Sequence, residues 1–445
     1  MPVRDLLGFS LTGASGNSVG HYARAVHQLQ CFIGDPVASI DAAIAADPGF
    51  VMAHVFKGYL FGLATEREAT AVALQCHDTA AALSGSLREQ AHVAALGALA
   101  GGGWHQAGRI LEELTTEYPR DGLALQAGHQ IDFFTGNARM LRDRMARALL
   151  AWDSATPGYH AMLGMQAFGY EEMGDYARAE TLGRAAIELE PRDGWAQHAV
   201  AHVMEMQCRQ RDGIAWMRAN PENWTKESFL QIHNWWHLAL FHYDLGEVDE
   251  VLALYDGPIY GSGSPLALNM VDASAILWRL HLGGVDVGSR WQRLADNWSG
   301  KAADANYAFN DIHAMMAFVG SGRTDLTRRL LDAQNTAMAA KDDNAAFTRN
   351  IGHPIALGIL KFGDGDYAEA VRLISPVRAI AHGFGGSHAQ RDVIDLTLIE
   401  AAIRAGDRAL AQALSAERLN VRPDSPLSHM FARRAEEVAA TKPGH

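Results

Sequence analysis

The segment 233–242, His-Asn-Trp-Trp-His-Leu-Ala-Leu-Phe-His, holds two imidazoles four residues apart, His233 and His237. It contains no Gly or Pro and its apolar residues run on without a break. It therefore reads as helix, and the four-residue spacing puts both rings on one face. A second pair, His198 and His202, repeats that spacing, and Glu205 follows three residues later on the same face. Two chemistries suit the pattern. Imidazoles one turn apart can share a metal ion. An imidazole beside a carboxylate can instead exchange protons near neutrality, its ordinary pKa being about 6.5. No HExxH motif fixes a metal-ligand set, and there is no nucleophile elbow, P-loop or dinucleotide fingerprint. The acid–base reading leads, with no metal and no cofactor expected.

Helices must position these residues. Short Gly-centred breaks recur at Gly34, Gly102, Gly136, Gly174, Gly246, Gly322, Gly365 and Gly406. Their intervals run from roughly 34 to 76 residues, one or two units of a helical repeat. Pro48, Pro119 and Pro191 form a second comb at about two repeat lengths. The clearest unit is 162–193, with Gly174-Asp175-Tyr176 at a turn, then Ala179, Ala186 and Pro191. This is the tetratricopeptide pattern: Gly reverses the chain, small alanines let two helices approach, and Pro ends the second. Sustained Val/Ile/Thr alternation is absent. The expected fold is all-α, a curved TPR-like α-solenoid of antiparallel helix pairs over 1–445. Degenerate repeats would occupy 1–150, pocket-forming repeats 151–395 and a capping repeat 396–445. The Gly-rich loops 257–265 and 381–387 would cover its concave groove.

Several longer stretches carry a family resemblance: Met140–Arg144, 157–172 (PGYHAMLGMQAFGYEE), 195–207 (WAQHAVAHVMEMQ), 233–246, 310–318 (NDIHAMMAF) and 385–393 (GGSHAQRDV). In that order they resemble the tetratricopeptide repeat protein 38 family and its bacterial relatives. The resemblance spans nearly the whole chain and implies the helical-repeat fold. Cys208 departs from it, standing where a Gly is expected.

Counting back from each turn orders the histidines. His233 and His237 precede Gly246 by about 13 and 9 residues, Asn310 and His313 precede Gly322 by about 12 and 9, and His353 precedes Gly365 by about 12. His198 and His202 fall near the same two offsets. In a tetratricopeptide first helix these positions face the groove, so stacked repeats would bring them together. The expected proton-transfer pair is His202 with Glu205, with His233, His237 and His313 completing the catalytic set. His198, Asn234, Trp195, Asn310, Asp311 and His353 would bind substrate. Ser387 reads as an N-cap; behind it His388 and Arg391 would hold an anionic group, and Asp392, four residues after His388, would also bind substrate. This inventory suits hydrolysis or elimination of a small polar or aromatic molecule. A non-catalytic, peptide- or protein-binding scaffold and a metal-dependent hydrolase using the HxxxH pairs are the alternatives.

Bulk properties narrow the partners. The net charge of −13 argues against nucleic acid or an anionic membrane surface as partner. Apolar residues make up 48% of the chain, ample for a core. Cys31, Cys76 and Cys208 are too dispersed for a disulfide framework and suit a reducing compartment. No stretch reads as a signal peptide or membrane span, so the expectation is a cytoplasmic protein binding a small molecule, with a protein partner or a homodimer also open.

Overall fold

The structure, a computed structural model, describes residues 3–438. Residues 439–445 of the expected capping segment, with residues 1–2, lie outside the described residues. Among those described, twenty-five α-helices follow one another with short 3-10 and π segments, and the only β pairing is two isolated bridges. The fold is all-α and TPR-like.

Local sequence explains the helix pairs. The eight turn glycines all have left-handed φ, between 64° and 84°. A side chain resists that region and Gly does not. In five of these turns the next residue caps the second helix. Asp35, Asn137, Asp175, Asp366 and Asp407 each accept a hydrogen bond from the backbone N–H three residues on. Gly-Asp is thus a two-residue device: the first reverses the chain and the second starts a helix. Small residues then set the packing distance. A Cβ on Gly169 would lie 2.5 Å from the Leu141 carbonyl oxygen, and one on Gly183 would lie 2.6 Å from Val200. Pro48, Pro119 and Pro191 fall in the turns just past helices ending at Ala46, Glu117 and Leu189.

Neighbouring repeats are stitched at a constant sequence separation. Tyr59 meets His92, Arg88 meets Asp121, and His160 meets Asp193, each 33 residues apart. The period read in the turns therefore reappears as side-chain contacts between stacked repeats.

The chain forms two compact units. One comprises Met1–Val203 and Asn220–Asn234, the other Met204–Ala219 and Trp235–His445. Apolar clusters fill the first, around Phe50, Phe56 and Leu96, and again around Phe168, Met162 and Trp195. Each such ring removed from water contributes about 1.5–3 kcal/mol. Segment 220–234 joins this unit by backbone pairing. The Gly34 N–H donates to the Glu227 carbonyl at 2.7 Å, and the Phe229 N–H donates to Phe32 at 3.0 Å.

In the second unit, the two loops expected to cover a groove are fastened locally. Residues 255–259 form a π turn, and the Asn297 amide donates to the Tyr260 hydroxyl and the Gly263 carbonyl. Residues 378–384 form a 3-10 turn whose Phe384 carbonyl accepts from the Tyr307 hydroxyl at 2.7 Å. No described helix is long and apolar enough to cross a membrane.

Cys208, the departure from the repeat pattern, has φ 57°, the left-handed conformation its glycine counterparts adopt. Cys208→Gly is therefore expected to stabilise the protein by about 1 kcal/mol, and Gly174→Ala (φ +78°, with open space around it) to destabilise it by about 1–2 kcal/mol. Urea unfolding of the two variants checks the opposed signs.

Candidate functional site

Asp193 starts the helix Gly194–Met206 by accepting hydrogen bonds from the N–H groups of Trp195 and Ala196 at 3.1 and 2.9 Å. That helix carries His198 and His202, whose rings meet edge to face at 4.4 Å. The paired segment 220–234 brings the start of the helix Gln231–Asp244 alongside. His233 Nε2 then stands 3.1 Å from His198 Nε2. Ring nitrogens of His198, His202 and His233 all lie within 4.8 Å of one another. Phe168 stacks on His198 at 5.3 Å and meets the His202 ring edge-on. Trp195 stacks on Phe32, and the Asn234 amide donates to the Gly194 carbonyl at 3.4 Å. All five expected residues of this unit, His198, His202, His233, Asn234 and Trp195, are buried.

Sequence reasoning missed the carboxylates and one imidazole. Glu171 Oε2 is 3.4 Å from His202 Nδ1, and Glu171, Glu172 and His202 each offer a ligand atom within 4.8 Å of the others. His129, also buried, packs edge-on to Phe168 and Trp195. Burial, with the nearby Arg144 guanidinium, pushes its pKa down to about 3. A signal was available: Glu171 precedes His202 by about one repeat length, as His198 precedes His233.

The expected pairing of His202 with Glu205 is corrected. Glu205 Oε2 lies 3.1 Å from His237 Nδ1, and its other oxygen is 3.6 Å from Arg422. Three-residue spacing puts Glu205 and His202 on one helical face, but each side chain reaches the neighbouring repeat. His237 follows His233 by one turn of the same helix.

The remaining expected residues belong to the second unit and do not join one group. His313 is buried, its ring tilted against Phe309 at 4.6 Å, with Nδ1 2.8 Å from the Phe309 carbonyl. Asn310 is half-buried and Asp311 buried on the same helix. Gln334 bridges Asp311 to His353, donating to the carboxyl at 3.2 Å and placing its oxygen 3.0 Å from His353 Nδ1. Ser387 caps its helix as expected. Arg391 donates to the Gly386 carbonyl and stands 3.4 Å from the Nδ1 of exposed His388. Asp392 forms a partly buried ion pair with Arg418. Burial works to raise its carboxyl, but the Arg418 and Arg422 guanidiniums outweigh that and hold it well below the usual carboxylate range. The Asp392 carboxylate, expected to bind substrate, is thus engaged by Arg418, while His388 and Arg391 stand side by side at the start of the helix.

Asp311 and His313 oppose each other in pH dependence. Burial raises Asp311 to about 7 and lowers His313 to about 4. Between pH 3.8 and about 7 the unfolded chain releases the Asp311 proton while the folded chain keeps it, so stability falls as pH rises. Between pH 6.5 and about 4 the unfolded chain protonates His313 while the folded chain does not, so stability falls as pH drops. Asp311→Asn removes the first effect. Its stability gain over wild type should grow from about pH 4 to about pH 8, by on the order of 1–4 kcal/mol. Urea unfolding across that range checks it; a pH-independent difference refutes it.

No family model matches the chain, so the resemblance to the tetratricopeptide repeat protein 38 family rests on the quoted motifs. Among solved structures, the chain is similar to the human IFIT1 dimer with m7Gppp-AAAA, at 13% sequence identity and a TM-score of 0.40 over 96% of each chain.

Proposed function

We propose that this protein is a helical-repeat scaffold built around a divalent transition-metal site held by His198, His202 and His233. The observation that carries this reading is the 3.1 Å separation of His198 Nε2 and His233 Nε2. Two imidazole nitrogens on one tetrahedral zinc ion stand about 3.3 Å apart, given metal–nitrogen bonds of about 2.0–2.1 Å. A nitrogen of the third ring, His202, lies within 4.8 Å of both. Convergence disfavours proton chemistry shared among the three, because two imidazolium charges at this distance in a buried site repel strongly. Neutral imidazoles around a cation face no such cost. The second support is charge: Glu171 at 3.4 Å from His202 and Glu172 beside it supply negative charge. A carboxylate on the far nitrogen of a ligating histidine orients the ring and raises its basicity.

The Glu171–His202 contact also favours a second reading. A buried carboxylate behind an imidazole is the arrangement of a general base, and metal-free hydrolysis or elimination of a small polar molecule would use His202 in that role. Metal analysis separates the two. Protein purified without chelator should carry about one more equivalent of zinc than the His198→Ala/His233→Ala variant, and added zinc should raise the melting temperature of a stripped sample of wild type more than that of the variant. Equal zinc content in both proteins, with equal thermal response, overturns the metal reading and leaves the acid–base one.

A further inference from the structure

A second cluster lies in the first unit, away from the three-histidine group. His27 and Cys31 sit one turn apart at the end of the helix Gly16–Cys31, and His160 lies in the first turn of the helix Tyr159–Glu171. Each offers a ligand atom within 4.8 Å of the others. Cys31 Sγ is 3.8 Å from His27 Nδ1. A thiolate and an imidazole on one tetrahedral zinc stand about 3.6 Å apart, from bond lengths of about 2.3 and 2.0–2.1 Å. We propose that Cys31, His27 and His160 bind a zinc-class ion whose fourth coordination position opens onto the adjoining cleft.

Three further observations support the site. His160 Nδ1 is 2.8 Å from Asp193 Oδ2. With Nδ1 donating to that carboxylate, Nε2 keeps its lone pair for a metal, the carboxylate–histidine–metal arrangement. Asp193 cannot swing away, because its other oxygen accepts the N–H groups of Trp195 and Ala196. The burial pattern is also graded: Cys31 is buried, His160 half-buried and His27 exposed, so the cluster runs from core to solvent.

The cleft is the third observation. It has about 800 Å³ between its walls, part of it open to solvent; His27 lines it, with Gln30, Pro157 and Gly158, which neighbour Cys31 and His160 in sequence. Gly158 is left-handed, and a Cβ there would meet the Gln30 amide at 2.9 Å. Leu7, Val26 and Leu123 supply apolar wall, and the buried Arg88–Asp121 pair supplies a polar floor. Three protein ligands with an open fourth position is the geometry of metal sites that take water or a ligand, rather than of closed structural ones. The cleft suits a partly apolar molecule with one group that reaches the ion.

Binding balances simply. Burial keeps the Cys31 thiol protonated in the metal-free protein. The ion replaces that proton, a metal–sulfur bond forms, and one proton leaves to solvent.

Cobalt titration of the metal-stripped protein tests the proposal, because a thiolate–cobalt site gives a near-ultraviolet charge-transfer band that an all-histidine site does not. The band should saturate at about one equivalent, vanish in Cys31→Ser, and persist in Cys208→Ser and in His198→Ala/His233→Ala. His27→Gln changes an exposed position, so it reports even if Cys31→Ser does not fold; it should weaken cobalt binding at least about tenfold. Absence of the band in wild type, its survival in Cys31→Ser, or unchanged affinity in His27→Gln overturns the site. None of these outcomes depends on the three-histidine reading, whose loss would show only in the His198/His233 variant.

Discussion

Two backbone hydrogen bonds between residues 32–34 and 227–229 hold much of the site chemistry in place. They tie a segment far along the chain to the end of the first helix. On one side of the tie, His233 is delivered to His198. On the other, Cys31 ends its helix beside His27 and His160, while Phe32 stacks on Trp195 at 5.4 Å. Phe32 and Glu227 both adopt left-handed φ there, a conformation that disfavours non-glycine residues and is held by the surrounding pairing. Gly194 completes the joint, since a Cβ on it would approach the Cys31 carbonyl at 3.1 Å.

Burial of polar groups is the second theme. A helical repeat that packs on both faces has few places for a charged side chain except against another. Arg88 meets Asp121 and Arg144 meets Asp132, both in the interior, and Asp392 meets Arg418 at its margin. Removing one member of such a pair strands the other, which costs far more than the pair contributes. The same economy of space puts Gly128 beside Arg144, where a Cβ would lie 2.7 Å from the guanidinium carbon. Histidine fits this interior because a neutral ring carries one donor and one acceptor and stacks on aromatic faces. That explains how so many imidazoles can be buried, and why their nitrogens collect where carboxylates are also buried.

Much of the helical framework was legible in the turns. The eight glycines flagged by spacing are all left-handed turns, and the Asp or Asn after five of them caps the following helix. Cys208 was legible as an anomaly and proved to share the glycine conformation. The histidine stripe was legible as far as placing His198 beside His233. It failed at the carboxylates: Glu205 turns to His237, and His202 receives Glu171 instead. It failed also at His27, Cys31 and His160, which share no motif: the first two lie in the degenerate segment 1–150 and the third far along the chain from them.

The division has a physical cause. A left-handed turn, a capped helix start and a small-residue contact are decided by sterics and hydrogen bonds within a few residues, so the sequence alone determined the helix pairs and their period. Which imidazole meets which carboxylate is decided about one repeat away, by how far neighbouring helices slide and rotate when their apolar faces pack. A single helical face offers several acceptors at similar distance, and only the tertiary structure selects one. Packing chose Glu171 for His202, Glu205 for His237 and Asp193 for His160, and with those choices it set the chemistry each ring can perform.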